Sequence, residues 1–256
     1  MNELRRHVDD GVLSLTIDRP ANENRIDRSI ALAIADALRS ARDDAAVRVV
    51  VLSASGTVFC LGGQIDRYPE GTSVDYLRFS RAFADLLAAI ANLGKPLIAA
   101  VQGDALAGGF SLVAECDMAI AADGARFGLP ELEYGLFPLM ALSNTVDLIP
   151  KKLLFEIIYQ SRILTSHEAL QFHLINRVVR ADQLMPETMT VAKSIATRSA
   201  TSVTIGRDAV YGMRNMSPAA RAEHARFALA SMLSTDDAKE AALAKRSGRT
   251  PRFTGQ

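Results

Sequence analysis

Residues 105–122 read ALAGGFSLVAECDMAIAA. The pair Gly108-Gly109 stands at the mouth of an apolar stretch read as a helix, and "DMAIAA" after it reads as a short strand. Inside a helix, glycine costs about 1 kcal/mol relative to alanine, so a pair at a helix start calls for a reason. Glycine lets the backbone approach a ligand closely and turn its N–H groups outward. The first N–H groups of a helix have no intrahelical partner, and the helix dipole favours negative charge there. On the first turn stands Ser111, which is small and cannot ionise.

Working outward, "LIAAVQG" (97–103) is a buried strand feeding this turn. Before it, residues 72–92 read as an amphipathic helix ending near Gly94-Lys95-Pro96. The β-branched run "VRVVVLSA" (47–54) has the pattern of a strand covered on both faces, and it leads to a second glycine pair, Gly62-Gly63. Apolar residues recur at helical spacing from Asp27 to Arg42. In "GVLSLTIDRP" (11–20), Leu13, Leu15 and Ile17 share one face of a half-buried strand stopped by Pro20. Strand, glycine-rich turn, helix and strand thus occur twice, an α/β pattern with right-handed crossovers. Neither G-x-G-x-x-G nor G-x-x-x-x-G-K-[ST] is present, which excludes the usual dinucleotide and P-loop fingerprints.

The second half is mostly helical. "TSHEALQFH" (165–173) opens with a capping box, Thr165 with Glu168. A short strand, "INRVVRA" (175–181), follows, and three or four helices are expected from Pro186 onward. The division falls near residue 195, between a core of residues 1–195 and a helical region of residues 196–256.

The 256 residues are 49% hydrophobic, with 29 Lys+Arg against 29 Asp+Glu. Such a chain supports a sizeable core and carries no overall field to attract nucleic acid or an anionic membrane, so an anionic ligand needs a local site. Cys60 and Cys116 lack metal-ligand spacing and read as reduced thiols, and no metal site is expected. The charged N-terminus has no signal-peptide core, and no apolar stretch is long enough to span a bilayer; the expectation is a soluble, cytoplasmic protein.

One glycine pair alone is accounted for by a tight turn with close helix–sheet packing. The order of the parts adds more. The segments "DRPANENRID", "VRVVVLSASGTVFCLGGQID", "GKPLIAAVQGDALAGGFSLVAECDMAIAADGARFGLPELEYGLFP" and "TSHEALQFHLINRVVRADQL", with the tail "DAKEAALAKRSGRTPRF", resemble the crotonase family, that of the enoyl-CoA hydratases and isomerases, over essentially the whole chain. The resemblance implies a spiral of ββα turns with a helical C-terminal region, assembled as a homotrimer or a dimer of trimers. It implies a substrate carried as an acyl thioester on coenzyme A, or less often on a carrier protein, with no other cofactor. The backbone N–H groups of Gly63 and Gly108 would form an oxyanion hole for the thioester oxygen.

Hydratases of this family usually carry two glutamates. The first position is Ser111 here; the second is Glu131, in "GLPELEYG". Some members instead place an aspartate where this chain has Leu139. Glu131 follows Pro130 in an apolar stretch, where partial burial would raise its pKa toward that of a proton shuttle. Glu133 is a weaker candidate. Tyr134 and the Ser111 hydroxyl could orient water or substrate, but neither is a good acid or base alone. The histidines His7, His167, His173 and His224 read as structural, with His173 at a position that is often glycine in the family. Leu139, Met140, Ala141 and Leu142 replace a usual glycine run, which suggests a more apolar acyl pocket; ordinary core packing explains them equally well. Arg19, Arg25 and Lys245 (or Arg246, from a neighbouring subunit) are candidates for coenzyme A phosphates, with a solvated face as the plainer reading of each.

A single carboxylate favours double-bond isomerisation, in which one base takes a proton from one carbon and returns it to another. A slow or atypical hydratase, a carbon–carbon bond-forming or decarboxylating enzyme, and a silent acyl-CoA-binding subunit are the alternatives.

Overall fold

The computed structural model describes residues 3–64 and 71–255. Ile65 and Asp66, the end of the "CLGGQID" stretch, lie outside the described residues. The chain opens with an antiparallel hairpin, β1 (Leu4–Asp9) and β2 (Val12–Ile17), turned by Asp10 and Gly11, both at positive φ. Helix α1 (Arg28–Asp43) starts at Asp27, whose side chain accepts from the Ile30 N–H and caps the helix. Strand β3 (Val49–Ala54), helix α2 (Ser73–Ala91) and strand β4 (Leu97–Val101) follow. The expected helix over 72–92 is therefore present, opened by a capping box of Thr72 and Asp75.

After a two-residue strand β5 (Ala105–Leu106) comes α3 (Gly108–Glu115), then β6 (Met118–Ala122) and β7 (Arg126–Gly128). A 3₁₀ turn at Pro130–Tyr134 leads to α4 (Leu139–Thr145) and α5 (Lys151–Tyr159). Strand β8 (Leu164–Thr165), α6 (Ser166–Gln171) and β9 (Arg177–Val179) complete the sheets. Thr165 and Glu168 form the expected capping box, and His173, just past α6, adopts a left-handed φ of 60°. Four helices end the chain: α7 (Leu184–Ala196), α8 (Ala200–Gly212), α9 (Pro218–Leu233) and α10 (Asp236–Arg246).

The main sheet runs β1-β2-β3-β4-β6-β9, parallel from β2 onward; β5-β7-β8 form a second, smaller sheet. Alternation along β3 explains its unbroken apolar run. Val50 and Leu52 enter the large core under α1 and α2, while Val49 and Val51 enter a smaller core on the opposite face, with Leu184 and Ala192 of α7. The half-buried β2 divides in the same way, Leu13, Leu15 and Ile17 inward and Val12 against the second core.

The small sheet was not legible as strands, because two or three residues show no period. Its role is to carry the glycine turns. β5 bridges to Cys60, and Leu106 N–H donates to the Cys60 carbonyl at 3.0 Å, so the first glycine turn is stitched to the strand that enters the second. No helix among the described residues is long and apolar enough to cross a membrane.

The C-terminal helices are tied to this core by a nearly buried ion pair. Arg207 of α8 donates to Asp117 Oδ2 at 2.8 Å and to the carbonyls of Ile90 and Ala91 at the end of α2. Asp117 also accepts from the Leu97 N–H at 2.8 Å. Removing one partner of such a pair strands the other charge and leaves helix carbonyls unpaired. Arg207→Ala is expected to lower unfolding free energy by about 3 kcal/mol, measured by urea denaturation.

Candidate functional site

The two glycine turns meet at a cavity of about 720 Å³. Gly63, Ala107, Gly108 and Glu131 line it, together with Tyr76, Phe79 and Phe83 of α2 and Leu136–Ala141. The approach of the turns is close enough to forbid side chains. Gly62 has φ +81°, and a Cβ there would sit 2.6 Å from Ala107 Cβ and 2.8 Å from the Gly108 nitrogen. A Cβ on Gly109 would fall 2.1 Å from the Cys60 carbonyl oxygen. These contacts give the reason for one glycine of each pair, Gly62 and Gly109. Gly108 is the first residue of α3, so its N–H has no acceptor within the helix. Ala107, where the family usually has glycine, is held at φ +53° by its own N–H bond to the Gly128 carbonyl at 2.9 Å.

The first turn is braced from the segment before α1. Asn24, fully buried at φ +51°, donates to the carbonyls of Ser55 and Val58. Arg25 donates to the Leu61 carbonyl at 3.0 Å and the Gly63 carbonyl at 3.3 Å, and pairs with Glu23. Arg19 is only 9% exposed; it pairs with Asp27 at 2.7 Å and Glu3 at 3.3 Å and donates to the Arg25 carbonyl. Arg19 and Arg25, the candidates for coenzyme A phosphates, thus sit among carbonyls and carboxylates of the segment beside the first glycine turn. A buried guanidinium must be paired, and these two spend their donors on the framework around the glycine turn.

Glu131 reaches the cavity from the 3₁₀ turn. Its Oε2 is buried without a hydrogen-bond partner, and burial raises its pKa from 4.5 to about 7, opposed only by its own backbone N–H. It is the only carboxylate among the described residues lining the cavity. Glu133 and Tyr134, on the same turn, are exposed and do not line it. The turn Pro130–Tyr134 places Glu131 against the cavity, near its start, and leaves Tyr134 at its end 60% exposed.

Ser111 does not reach the cavity either. It is 0% exposed. Its Oγ donates to Asn144 Oδ1 of α4 at 2.8 Å. Asn144 Nδ2 returns a bond to the Ser111 carbonyl at 3.0 Å and donates to Glu115 Oε2 at 3.0 Å. Asn144 and Glu115 were not anticipated as part of this arrangement. The one available signal was that Glu115 lies one helical turn beyond Ser111 in an otherwise apolar helix.

Leu139, Met140 and Ala141 line the cavity, as the replaced glycine run suggests, whereas Leu142 packs beside it in a groove with Phe137 and Val146. Lys245 lies exposed near the end of α10. Cys60 is buried and free, its thiol pushed up to about 12 by burial; its Sγ accepts from the Gly62 N–H at 3.4 Å. Cys116 is also a free thiol, raised by burial. Among the described residues no cluster of His, Cys, Asp or Glu could hold a metal ion.

A profile of the enoyl-CoA hydratase/isomerase family matches residues 7–256. A probable enoyl-CoA hydratase of Mycobacterium leprae is 32% identical over 241 residues, covering 94% of this chain and 93% of that protein. The carnitinyl-CoA dehydratase of Salmonella arizonae is 30% identical over 262 aligned positions and is covered in full, as is this chain. Among solved structures, human enoyl-CoA hydratase domain-containing protein 3 superposes with a TM-score of 0.95 at 25% identity, covering 98% of this chain and 100% of that one. An enoyl-CoA hydratase of Mycobacterium smegmatis does so with a TM-score of 0.94 at 29% identity, covering 99% of each chain. With its crotonase-type fold and its match along nearly the whole length, the chain belongs to the enoyl-CoA hydratase/isomerase family.

Proposed function

We propose that the chain acts on an apolar acyl thioester of coenzyme A, with Gly63 and Gly108 N–H groups holding the thioester oxygen and Glu131 moving the proton. The observation that carries this reading is Glu131, the one carboxylate among the described residues that line the apolar cavity beside the two glycine turns, with its Oε2 buried and unpartnered. As the α-carbon loses its proton to Glu131, charge runs onto the thioester oxygen, where each backbone donor contributes about 3–4 kcal/mol of transition-state stabilisation. The same carboxyl then returns the proton to the γ-carbon, and a 3-enoyl thioester becomes a 2-enoyl thioester. The occupied Ser111 hydroxyl supports this preference, because it leaves no second group there to hold a water.

Hydration is the second reading, supported by relatives named as a hydratase and a dehydratase. In that reaction Glu131 alone would activate water and protonate the α-carbon. Phe79, Phe83, Phe137 and Met140 give the acyl site room for a bulky apolar chain. Lys245 is the proposed partner of the coenzyme A phosphates. We further propose a homotrimer or a dimer of trimers. Phe227, Leu229 and Leu233 of α9 are more than half exposed, as are Leu139 and Val146 beside the cavity, and an assembly would cover them. Light scattering should give a mass three or six times that of the chain; a monomer at micromolar concentration refutes the assembly.

Glu131→Gln should lower kcat on a 3-enoyl-CoA by about 10²–10⁴-fold while binding of a saturated acyl-CoA persists. Full activity in that variant, or no turnover by the parent across enoyl, hydroxyacyl, malonyl-type and aromatic thioesters, overturns the reading. In the parent, kcat/KM should rise as pH passes through about 7 and Glu131 ionises.

The same group makes stability depend on pH. Folding raises its pKa, so the folded protein binds the extra proton between 4.5 and about 7 and loses stability as pH rises through that window. Glu131→Gln lacks this loss. Relative to the parent it should be more stable at pH 8 than at pH 5 by about 1–3 kcal/mol, measured by denaturant unfolding at both values.

A further inference from the structure

The wall of the cavity opposite α2 rests on a short helix. α4 has seven residues, starts at Pro138 without a side-chain cap, and exposes Leu139 by 71%. A helix of this length has no stability of its own. Its first turn, Leu139–Ala141, faces the cavity, and Asn144 sits one turn further on. The Asn144 amide is bonded at both ends to α3: it accepts from Ser111 Oγ, and donates to the Ser111 carbonyl and to Glu115 Oε2. Ser111 and Glu115 are one helical turn apart, so α3 presents both to the same amide.

Glu115 is 3% exposed, and a carboxylate at that depth needs more than one donor. Its second donor comes from outside the core. Arg214, in the 3₁₀ turn Met213–Asn215 after α8, donates to Glu115 Oε1 at 2.9 Å. The Arg214 guanidinium lies 4.1 Å over the Tyr211 ring, and the Tyr211 hydroxyl donates to Asp117 Oδ1 at 2.9 Å. A continuous chain of polar contacts therefore runs from the C-terminal helices through Arg214, Glu115 and Asn144 to the acyl wall.

We infer that Asn144 is a positioning residue that registers the acyl wall to the helix carrying the Gly108 N–H, and that Glu115 and Arg214 brace it from the C-terminal region. The inference rests on the reading of the cavity as an acyl site. Ser111, at the position of an absent acid, thereby acquires a use: a glutamate there would displace the Asn144 contact, whereas serine closes it. With Asn144 removed, Leu139–Ala141 lose their fixed distance from the oxyanion turn, and acyl length is read less sharply.

The test compares the full-length parent with Asn144→Ala, Arg214→Ala and Arg214→Lys. Hydrogen exchange over residues 139–146 is measured without ligand, and Kd is measured for decanoyl-CoA, butyryl-CoA and free coenzyme A. Asn144→Ala should speed exchange in that segment and weaken decanoyl-CoA by about tenfold, with free coenzyme A unchanged. Arg214→Ala should shift both readouts in the same direction by less, and Arg214→Lys should recover most of the loss. Unchanged exchange overturns the inference, as does faster exchange with the decanoyl-to-butyryl ratio intact, which marks a merely structural clasp. Should Asn144→Ala fail to fold, the Arg214 pair decides by the same two readouts. A parent that binds neither thioester overturns the reading of the cavity, and the exchange result still decides whether Asn144 holds α4.

Discussion

Two backbone turns from separate strands come within contact distance, and the rest of the molecule is arranged to allow it. Gly62 and Gly109 have no room for a methyl group, since one would strike Ala107 and the other the Cys60 carbonyl. Backbone this close must satisfy its polar groups locally, and it does so through β5: Cys60 N–H donates to the Asp104 carbonyl and Leu106 N–H to the Cys60 carbonyl. Asn24 and Arg25 close the first turn from the other side. What remains is a pair of turns aimed at one cavity, at the start of a helix whose dipole favours developing negative charge.

Among the described residues, one carboxylate lines that cavity and the others lie outside it. Glu131 meets an apolar environment among the described residues, and burial raises its pKa to about 7. Glu115, the last residue of α3, is instead engaged by Asn144 and Arg214. The difference in surroundings separates a group able to exchange a proton near neutral pH from one that serves as an anchor. Replacing the first family glutamate by Ser111 therefore does more than remove an acid. It joins α3 to α4 and makes the Leu139–Ala141 wall of the cavity part of the same polar network.

Much of this was legible in the chain. The strands of the main sheet from β2 onward, the longer helices and the Thr165–Glu168 capping box follow from period and caps, because burial on one face or two writes itself into the spacing of apolar residues. Glu131 stood out for its position after Pro130 and within the family pattern. The arginines were read differently from what the structure shows. Arg19 and Arg25 are both basic residues near a glycine turn, and their residue type says nothing about whether the donors point to solvent or to carbonyls. Ser111 and Tyr134 were placed at the substrate for the same reason: position along the chain gives proximity, and only the packing of α4 and the 3₁₀ turn decides direction.

By itself, then, the amino-acid sequence determined the α/β architecture and the two glycine turns, through local spacing and residue type, and its resemblance to a family pointed to Glu131 and to Ser111 in the place of a second acid. The tertiary structure alone decided that Glu131 is isolated in an apolar cavity, that the Ser111 hydroxyl is already engaged, and that Asn144, Glu115 and Arg214 join α4 to the C-terminal helices. Those facts depend on contacts between residues far apart in the chain, and hydrogen-bond direction and desolvation are properties of the packed surroundings rather than of any residue alone.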